Sequence, residues 1–363
     1  MKILFAGGGT AGHINPAISV ANYIKEQEKD FEALFVGTER GLERKLVPAS
    51  GYSIKYIDVS GFNRKNMLKN ISVIIKLQKA RRDAVKILRD FKPDWVICTG
   101  GYVSGPVILA AKKLGIPSII HEQNVYPGLT VKGSQRYADY IAVSFSETIE
   151  HLKDKKKCVV TGNPVRPEIL KAEKDTAREG MGLSEKPFIL VFGGSLGAGR
   201  INETMLEMFG KIQDGEMDIL FGTGDRNYAE ITERIKNEDI KIPDGVKIVP
   251  YINNMSEAMA AADIVISRAG AITVSEIAAL KKPSILIPSP NVVRNHQEQN
   301  AREFEKQGAA KVITENYLTA QKLYDTIKEM LKSKKDLDKM GENAGKLAKT
   351  DATAKIYSLI KAR

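Results

Sequence analysis

The chain has 363 residues, 43% of them hydrophobic, which is enough to bury two cores where single domains usually stay well below that length. Cys98 and Cys158 are the only cysteines and show no metal-ligand spacing, which excludes a disulfide framework and points to a reducing compartment. The net charge of +11 asks for an acidic partner, yet no stretch approaches the roughly 20 apolar residues of a membrane span and Ile3-Leu4-Phe5-Ala6 is too short for a signal segment, so the expectation is a cytoplasmic protein not integral to a membrane.

The first predicted strand, Lys2–Ala6, runs straight into Gly7-Gly8-Gly9-Thr10-Ala11-Gly12-His13. Gly8, Gly9 and Gly12 allow a sharp turn and close backbone approach, and a helix expected to start near Asn15-Pro16 aims N–H groups and a positive dipole end at an anion. A diphosphate is the expected guest. The loop lacks the lysine and hydroxyl of a triphosphate P-loop, and its spacing is not the dinucleotide fingerprint. A ligand-free turn is the alternative for any single loop, but the pattern recurs at Thr99–Gly105 and Gly193–Gly199. His13, beside this cradle, is poised near neutral pH to accept a proton, or else merely hydrogen-bonds the loop.

Predicted strands Ala33–Val36 and Ser53–Asp58 follow, and then the basic segment that carries most of the excess charge. Arg64, Lys65, Lys69, Lys76, Lys79, Arg81, Arg82, Lys86, Arg89 and Lys92 stand there against only Asp83 and Asp90. Met67, Ile71, Ile74, Leu77, Ala84 and Leu88 recur at helical spacing and face a core, while Leu68, Ile75, Lys79, Arg82, Lys86 and Arg89 fall on another side. A basic surface with exposed aliphatics, with Leu68, Lys69, Ile75, Lys76, Lys79 and Arg82 as its members, reads as a dock for an anionic membrane surface; an ordinary solvated face is the alternative. Nucleic acid is disfavoured because no aromatic interleaves the charges before Phe91.

Strand Trp95–Thr99 enters the second glycine turn, whose Gly100, Gly101, Tyr102 and Ser104 join Gly8 and Gly9 as candidate diphosphate contacts. Strand Ser118–His121 delivers His121-Glu122-Gln123-Asn124 to the same rim. Glu122 and Asn124 are better placed for a ligand there, and His121 and Gln123 are equally explained as strand-end hydrogen bonds to loops. Tyr140–Ser144 and Cys158–Thr161 complete a parallel, doubly wound sheet. Gly162-Asn163-Pro164-Val165-Arg166-Pro167 is a stiff crossing, which puts the domain boundary at Asn163. Residues 1–163 form the first domain and 164–345 the second, and a C-terminal helix at about 346–363 packs back on the first. Strands Phe188–Phe192, Asp218–Phe221, Val246–Val249, Ile264–Ser267, Ser284–Pro288 and Lys311–Ile313 build a second sheet of the same class. Ligands bind at the carboxyl ends of such strands, so a cleft is expected with the first two loops on one wall and the third opposite.

In the second half, Arg166 after the prolines is suited to a phosphate or to an interdomain salt bridge. Glu276, in Ser267-Arg268-Ala269-Gly270-Ala271-Ile272-Thr273-Val274-Ser275-Glu276, is suited to sugar hydroxyls or to the helix dipole. Asn295-His296-Gln297-Glu298-Gln299-Asn300 opens another helix with side chains suited to hydroxyl recognition.

The motifs GGGTAGH, TGGYVSGP, HEQN, GNPVR, GGSLGA, SRAGAITVSE and NHQEQNA occur in one order across most of the chain. Together they resemble the lipid II-forming N-acetylglucosaminyltransferases of peptidoglycan synthesis, in glycosyltransferase family 28. The resemblance implies a GT-B fold of two Rossmann-like domains, the acceptor lipid I on the first and UDP-N-acetylglucosamine on the second. It implies inverting transfer to the C4 hydroxyl of undecaprenyl-pyrophosphoryl-muramoyl-pentapeptide; no metal-binding cluster of carboxylates is visible in the sequence, so no cofactor or metal is expected. It also implies peripheral association with the cytoplasmic face of the cell membrane, with cell-wall synthesis proteins as candidate partners. By motif, Thr10, Ala11 and Gly12 look like loop contacts to the sugar nucleotide, Asn124 like an N-acetylglucosamine contact, and Arg166 and Ser195 like diphosphate ligands. Ile252 resembles the residue whose backbone meets uracil. Ala271, Ile272, Thr273, Val274, Ser275 and Glu276 line the nucleotide, with Glu276 on the ribose, and Gln297 resembles a donor-sugar contact. His13 is the first choice of general base and Glu122 the second.

Three positions depart from the family pattern: Ala11 where a third glycine is common, Leu196 where glutamine often follows the serine, and His296 where many relatives have glutamine. The rivals are a UDP-N-acetylglucosamine epimerase of the same fold, which needs no lipid acceptor, and a nucleic-acid-binding module, which leaves the glycine loops unused.

Overall fold

The computed structural model describes residues 1–61, 69–194 and 197–362, with backbone only at 69–74 and 293. The chain divides into two compact units, Met1–Arg166 with Lys349–Arg363 and Pro167–Ala348. The first division thus falls just after Asn163, at Arg166, and the chain returns to the first unit at Lys349.

The first unit is a seven-stranded sheet in the order β3-β2-β1-β4-β5-β6-β7. Its strands are β1 (Lys2–Gly7), β2 (Glu32–Gly37), β3 (Ser53–Tyr56), β4 (Trp95–Gly100), β5 (Ser118–Glu122), β6 (Tyr140–Val143) and β7 (Cys158–Val160). Every neighbouring pair is parallel. Both faces of such a sheet are covered by helices, so its central strands are continuous apolar runs, and β4 is buried throughout. Alternate residues feed two cores. Leu4, Ala6, Val96 and Cys98 pack with Ala80, Ala84 and Leu88 of helix Lys69–Phe91, and with Val107, Ile108 and Ala111 of helix Ser104–Leu114. Ile3, Phe5, Trp95 and Ile97 pack with Ile14, Ala17, Val20, Ala21 and Ile24 of helix Ala11–Gln27. The C-terminal helix Ala352–Lys361 completes this second core with Ile356 and Ile360.

Helix Ala11–Gln27 begins earlier than expected, with Thr10 in an extended N-cap conformation and Pro16 inside the helix. Proline here removes only one early intrahelical hydrogen bond, and its fixed φ suits the helix, so it marks the first turns without marking the start.

The second unit is a six-stranded parallel sheet in the order β10-β9-β8-β11-β12-β13. Its strands are β8 (Phe188–Phe192), β9 (Asp218–Gly222), β10 (Val246–Val249), β11 (Ile264–Ser267), β12 (Ser284–Leu286) and β13 (Lys311–Val312). In each unit the strand order reverses at one place, between β1 and β4 in the first and between β8 and β11 in the second. Crevices at the carboxyl ends of strands open at such reversals. The glycine turns after β1, β4, β8 and β11 stand at these reversals.

Candidate active site

In the first unit, the turns after β1 and β4 press directly on one another. Gly101 has φ +78°, and a Cβ there would stand 2.4 Å from the Gly8 carbonyl oxygen. Gly100 has φ +114°, and its Cβ would meet His13 Cδ2 at 2.6 Å and Nε2 at 2.9 Å. Both positions need glycine twice over, for backbone conformation and for space. His13 is held from three sides: the Thr99 hydroxyl donates to its carbonyl at 2.6 Å, Gly100 lies against its ring, and its Nδ1 meets the Gly8 carbonyl oxygen at 3.0 Å. A carbonyl only accepts, so Nδ1 carries a proton, and in the neutral ring the lone pair is then on Nε2. Thr10 Oγ1 lies 3.5 Å from Nδ1, and Ala11 and Gly12 supply the helix's first turn. Gly9 has φ +88°, with nothing within 4 Å of where a Cβ would project. Tyr102, 61% exposed, stands over Gly61.

Ser104 departs from the expected ligand contact. It is fully buried beneath the second turn, where its hydroxyl accepts from the Gly100 N–H at 3.1 Å and faces the carbonyl oxygens of Gly100 at 2.8 Å and Ala6 at 3.0 Å. It shapes the loop from behind. Glu122 is likewise turned inward. Its Oε1 accepts from the Asn124 N–H at 2.9 Å and the Asn124 amide at 3.1 Å, and its Oε2 accepts from the Gly128 N–H at 2.7 Å. Burial raises its pKa against the lowering effect of these donors. With both oxygens engaged in the 122–128 loop, Glu122 positions Asn124, and the geometry argues against its reaching an acceptor hydroxyl as base.

Below this rim lies a buried polar network. His121 Nε2 meets the Gly162 carbonyl oxygen at 3.0 Å, and its Nδ1 accepts from the Gln123 amide at 3.0 Å. Gln123 also donates to the Thr99 carbonyl at 2.6 Å, and Asn163 Nδ2 donates to the Gln123 carbonyl at 3.1 Å. His121 and Gln123 are thus strand-end supports. Burial pushes the His121 pKa down to about 4, so the ring is neutral. Arg166 closes the unit, half-buried.

A residue missed by the sequence reading is Glu43, whose fully buried carboxylate accepts from the N–H groups of Gly9 and Thr38, each at 2.8 Å. The glycines Gly37 and Gly41 that flank it in sequence are the only local signal.

In the second unit, Ser195 and Leu196 lie outside the described residues. The turn after β8 ends at Gly197, φ +75°, packed against the Thr223 carbonyl and Asn227, and leads into helix Gly199–Phe209. Ile252 is buried with its side chain over Gly222. After β11, helix Ala271–Ala279 starts from Gly270, so Ala271, Ile272, Thr273, Val274 and Ser275 form its first turns. Ser275 donates back to the Ala271 carbonyl at 2.9 Å, and Glu276 is a buried carboxylate in the second turn. Arg268 is fixed behind this turn, donating to the Ile287 carbonyl at 3.0 Å and to Glu315. Helix His296–Lys306 lies alongside: buried Asn300 donates to the Ala269 carbonyl at 3.1 Å, and Gln297 Oε1 accepts from the Ser289 N–H at 2.9 Å. The Gln297 carbonyl end is thereby used within the protein, and its NH₂ end remains the one to offer a hydroxyl.

Of the basic segment, Leu68 lies outside the described residues, as does the Lys69 side chain. Ile75 is 66% exposed, and Lys79 and Arg82 are exposed on the same helix. Lys76 departs from the expectation of a free surface cation, since its Nζ pairs with Asp58 at 3.0 Å. Among the described residues, no group of three His, Cys, Asp or Glu side chains stands ready to hold a metal ion, and no helix is long and apolar enough to cross a membrane.

Comparison with known proteins agrees with this layout. The glycosyltransferase family 28 N-terminal domain matches residues 3–143, and the family's C-terminal domain matches residues 188–356. A UDP-N-acetylglucosamine–N-acetylmuramyl-(pentapeptide) pyrophosphoryl-undecaprenol N-acetylglucosamine transferase of Thermoanaerobacter sp. is 52% identical over 99% of both chains. The enzyme of the same name from Acetivibrio thermocellus is 47% identical over 99% of this chain and 98% of its own. Among solved structures, MurG of Acinetobacter baumannii superposes with a TM-score of 0.78 at 27% identity, covering 100% of this chain and 99% of that one. A UDP-GlcNAc 2-epimerase from Neisseria meningitidis reaches 0.68 at 16% identity, covering 100% of both chains, a likeness of fold alone. Two Rossmann-like parallel-sheet units of the GT-B class, each matched by its own half of the family model, and near-full-length relatives at about half identity make this chain a member of glycosyltransferase family 28.

Proposed function

We propose that the chain transfers N-acetylglucosamine from UDP-N-acetylglucosamine to the C4 hydroxyl of the muramoyl unit of undecaprenyl-pyrophosphoryl-muramoyl-pentapeptide, with inversion, forming lipid II. The observation that carries this reading is 52% identity, over 99% of both chains, to a relative named for that transfer. Epimerases share the fold at far lower identity, which favours the transferase reading over the rival.

In the proposed mechanism, His13 Nε2 takes the proton of the C4 hydroxyl as its oxygen attacks the anomeric carbon. The bond from that carbon to the UDP β-phosphate oxygen breaks, and the electron pair leaves with UDP. Developing charge on UDP is met by N–H groups at the starts of helices Gly199–Phe209 and Ala271–Ala279, with Ser195 and Arg166 as further diphosphate ligands. The second unit holds the donor, with Ile252 at uracil, Ala271 to Ser275 along the nucleotide, Glu276 on the ribose and Gln297 on the sugar. Thr10, Ala11, Gly12 and Asn124 complete the sugar-nucleotide contacts, and Gly8, Gly9, Gly100, Gly101 and Tyr102 face the acceptor diphosphate. The lipid tail calls for a peripheral position on the cytoplasmic face of the cell membrane, and exposed Ile75 with Lys79 and Arg82 supports that placement.

UDP release is the test. The reading expects release from UDP-N-acetylglucosamine to depend on a lipid I analogue and to yield the disaccharide. Release without acceptor, or formation of an epimerised UDP-sugar, refutes it.

A further inference from the structure

A buried carboxylate that this mechanism leaves unused lies directly behind the first glycine turn. Glu43 opens helix Glu43–Ala49 with its side chain fully buried. Its Oε1 accepts from both the N–H and the hydroxyl of Thr38 at 2.8 Å, and its Oε2 accepts from the Gly9 N–H at 2.8 Å. Room for it is made by three glycines, Gly8 after β1, Gly37 at the end of β2 and Gly41 beyond it. A Cβ would stand 2.5 Å from Oε1 at Gly8, 2.5 Å from Cγ at Gly37 and 2.0 Å from Oε2 at Gly41. Every contact on this carboxylate is a donor, so an acceptor-only group is what the pocket fits.

The Gly9 N–H belongs to the same peptide group as the Gly8 carbonyl, and a trans peptide points the two in opposite directions. On the far side that carbonyl oxygen meets His13 Nδ1 at 3.0 Å. One rigid peptide plane is therefore gripped at one end by Glu43 and at the other by His13. A carboxylate on the N–H end polarises the amide and strengthens its carbonyl as acceptor, because linked hydrogen bonds reinforce one another.

We infer that Glu43 is a positioning residue for the transfer, acting through the Gly8–Gly9 peptide to hold His13 with its proton on Nδ1 and its lone pair on Nε2. The logic is that of the carboxylate that orients a catalytic imidazole in hydrolytic triads, with a peptide group interposed. The inference rests on the proposed role of His13 as base.

Glu43→Gln is the test, since it keeps the size but turns one accepting oxygen into an NH₂ that must face a donor at Gly9 or Thr38. Imidazole nitrogen NMR of the histidine-labelled full chain, with His13 assigned through His13→Ala, should show Nδ1 protonated in the parent and a mixture of tautomers in the folded variant. Turnover should fall roughly 10- to 100-fold, as for other groups that orient a functional histidine, with KM for UDP-N-acetylglucosamine within about 2-fold. In a His13→Ala background the same substitution should change residual turnover by less than about 2-fold. A parental tautomer in folded Glu43→Gln, or equal losses in both backgrounds, overturns the inference. If that variant does not fold, Glu43→Asp, which keeps the charge but draws the carboxylate back by one methylene from the Gly9 N–H, is read the same way, and a parental tautomer there equally overturns the inference. Should His13→Ala keep full turnover, the base assignment fails by itself, while the NMR still decides whether Glu43 sets the imidazole.

Discussion

His13 draws its orientation from the backbone around it as much as from its own ring. The Gly8 carbonyl fixes its tautomer, Gly100 leaves room for its Nε2 edge, and Thr99 ties its carbonyl to β4. If it is the base, His13→Ala should lower turnover by about 10²–10⁴ while calorimetric affinity for UDP-N-acetylglucosamine stays at the parental value. Parental turnover at saturating acceptor would leave His13 a purely structural residue.

His121 is the opposite kind of histidine, buried and neutral, with both ring nitrogens used inside the protein. Its native pKa is held down at about 4 by burial, below the ordinary 6.5 of the unfolded chain. As pH falls from about 6.5, the unfolded state takes up a proton that the native state refuses until about 4. Stability that is intact above 6.5 is therefore lost across that window, in total about 3 kcal/mol. His121→Gln should flatten the pH dependence of unfolding there. Trp95, the sole tryptophan, is buried in β4 and reports on the first unit alone, so denaturant titrations followed by its fluorescence are the measurement. An equally steep profile in the variant would place the acid sensitivity in other groups.

At the scale of elements, the central strands were legible because a parallel strand covered on both faces must be an unbroken apolar run. Phe188–Phe192 and Ile264–Ser267 have the predicted bounds, as does the edge strand Val246–Val249, whose exposed Lys247 breaks the run. What escaped the sequence depends on partners far away in the chain. Glu43 sits among Arg40, Arg44 and Lys45 and reads as one more surface charge, and its burial is decided by Gly8 in another loop. Ser104 looked like a ligand group, but only the close approach of β1 and β4 shows that its hydroxyl is taken by the Gly100 backbone and Ala6. Of the residues read by resemblance in the second unit, Ala271 to Glu276 follow β11, while Ile252 follows β10 and Gln297 stands in the helix after β12, and spacing marked the glycine turns without saying which side chains face outward.

The C-terminal helix makes a prediction of its own. Ile356 is buried in the cluster that contains Ile3, Phe5 and Trp95, and Tyr357 and Lys361 both reach Glu28 at the end of helix Ala11–Gln27. Ile356→Ala should therefore destabilise the first unit by about 2–5 kcal/mol, the usual range for emptying a core site of this size. The Trp95 unfolding midpoint should drop accordingly. A midpoint at the parental value would mean that the helix is dispensable to this core.

At the scale of the whole molecule, the excess of positive charge has a definite address. Ile75, Lys79, Arg82 and Lys86 follow one another at helical spacing of four, three and four along Lys69–Phe91, and all four are exposed, whereas Ala80, Ala84 and Leu88 on the other side are buried. Lys76 drops out of this face as a free charge, because Asp58 neutralises it and its reversal would set two carboxylates side by side. The informative variant is therefore Lys79→Glu, Arg82→Glu and Lys86→Glu together. Each basic residue near an anionic surface contributes about 1 kcal/mol, so removing three attractions and adding three repulsions should outweigh what exposed Ile75 supplies by insertion. Such exposed charges make no buried pairs, so the fold and transfer to a water-soluble acceptor should be retained. Binding to vesicles containing anionic lipid should be lost, and raising the ionic strength to about 1 M, where the Debye length shrinks to about 3 Å, should release the parent protein in the same way. Cosedimentation that ignores both the reversals and the salt would show that this helix face is merely solvated, and that whatever brings the enzyme to a lipid-linked acceptor is built elsewhere in the chain.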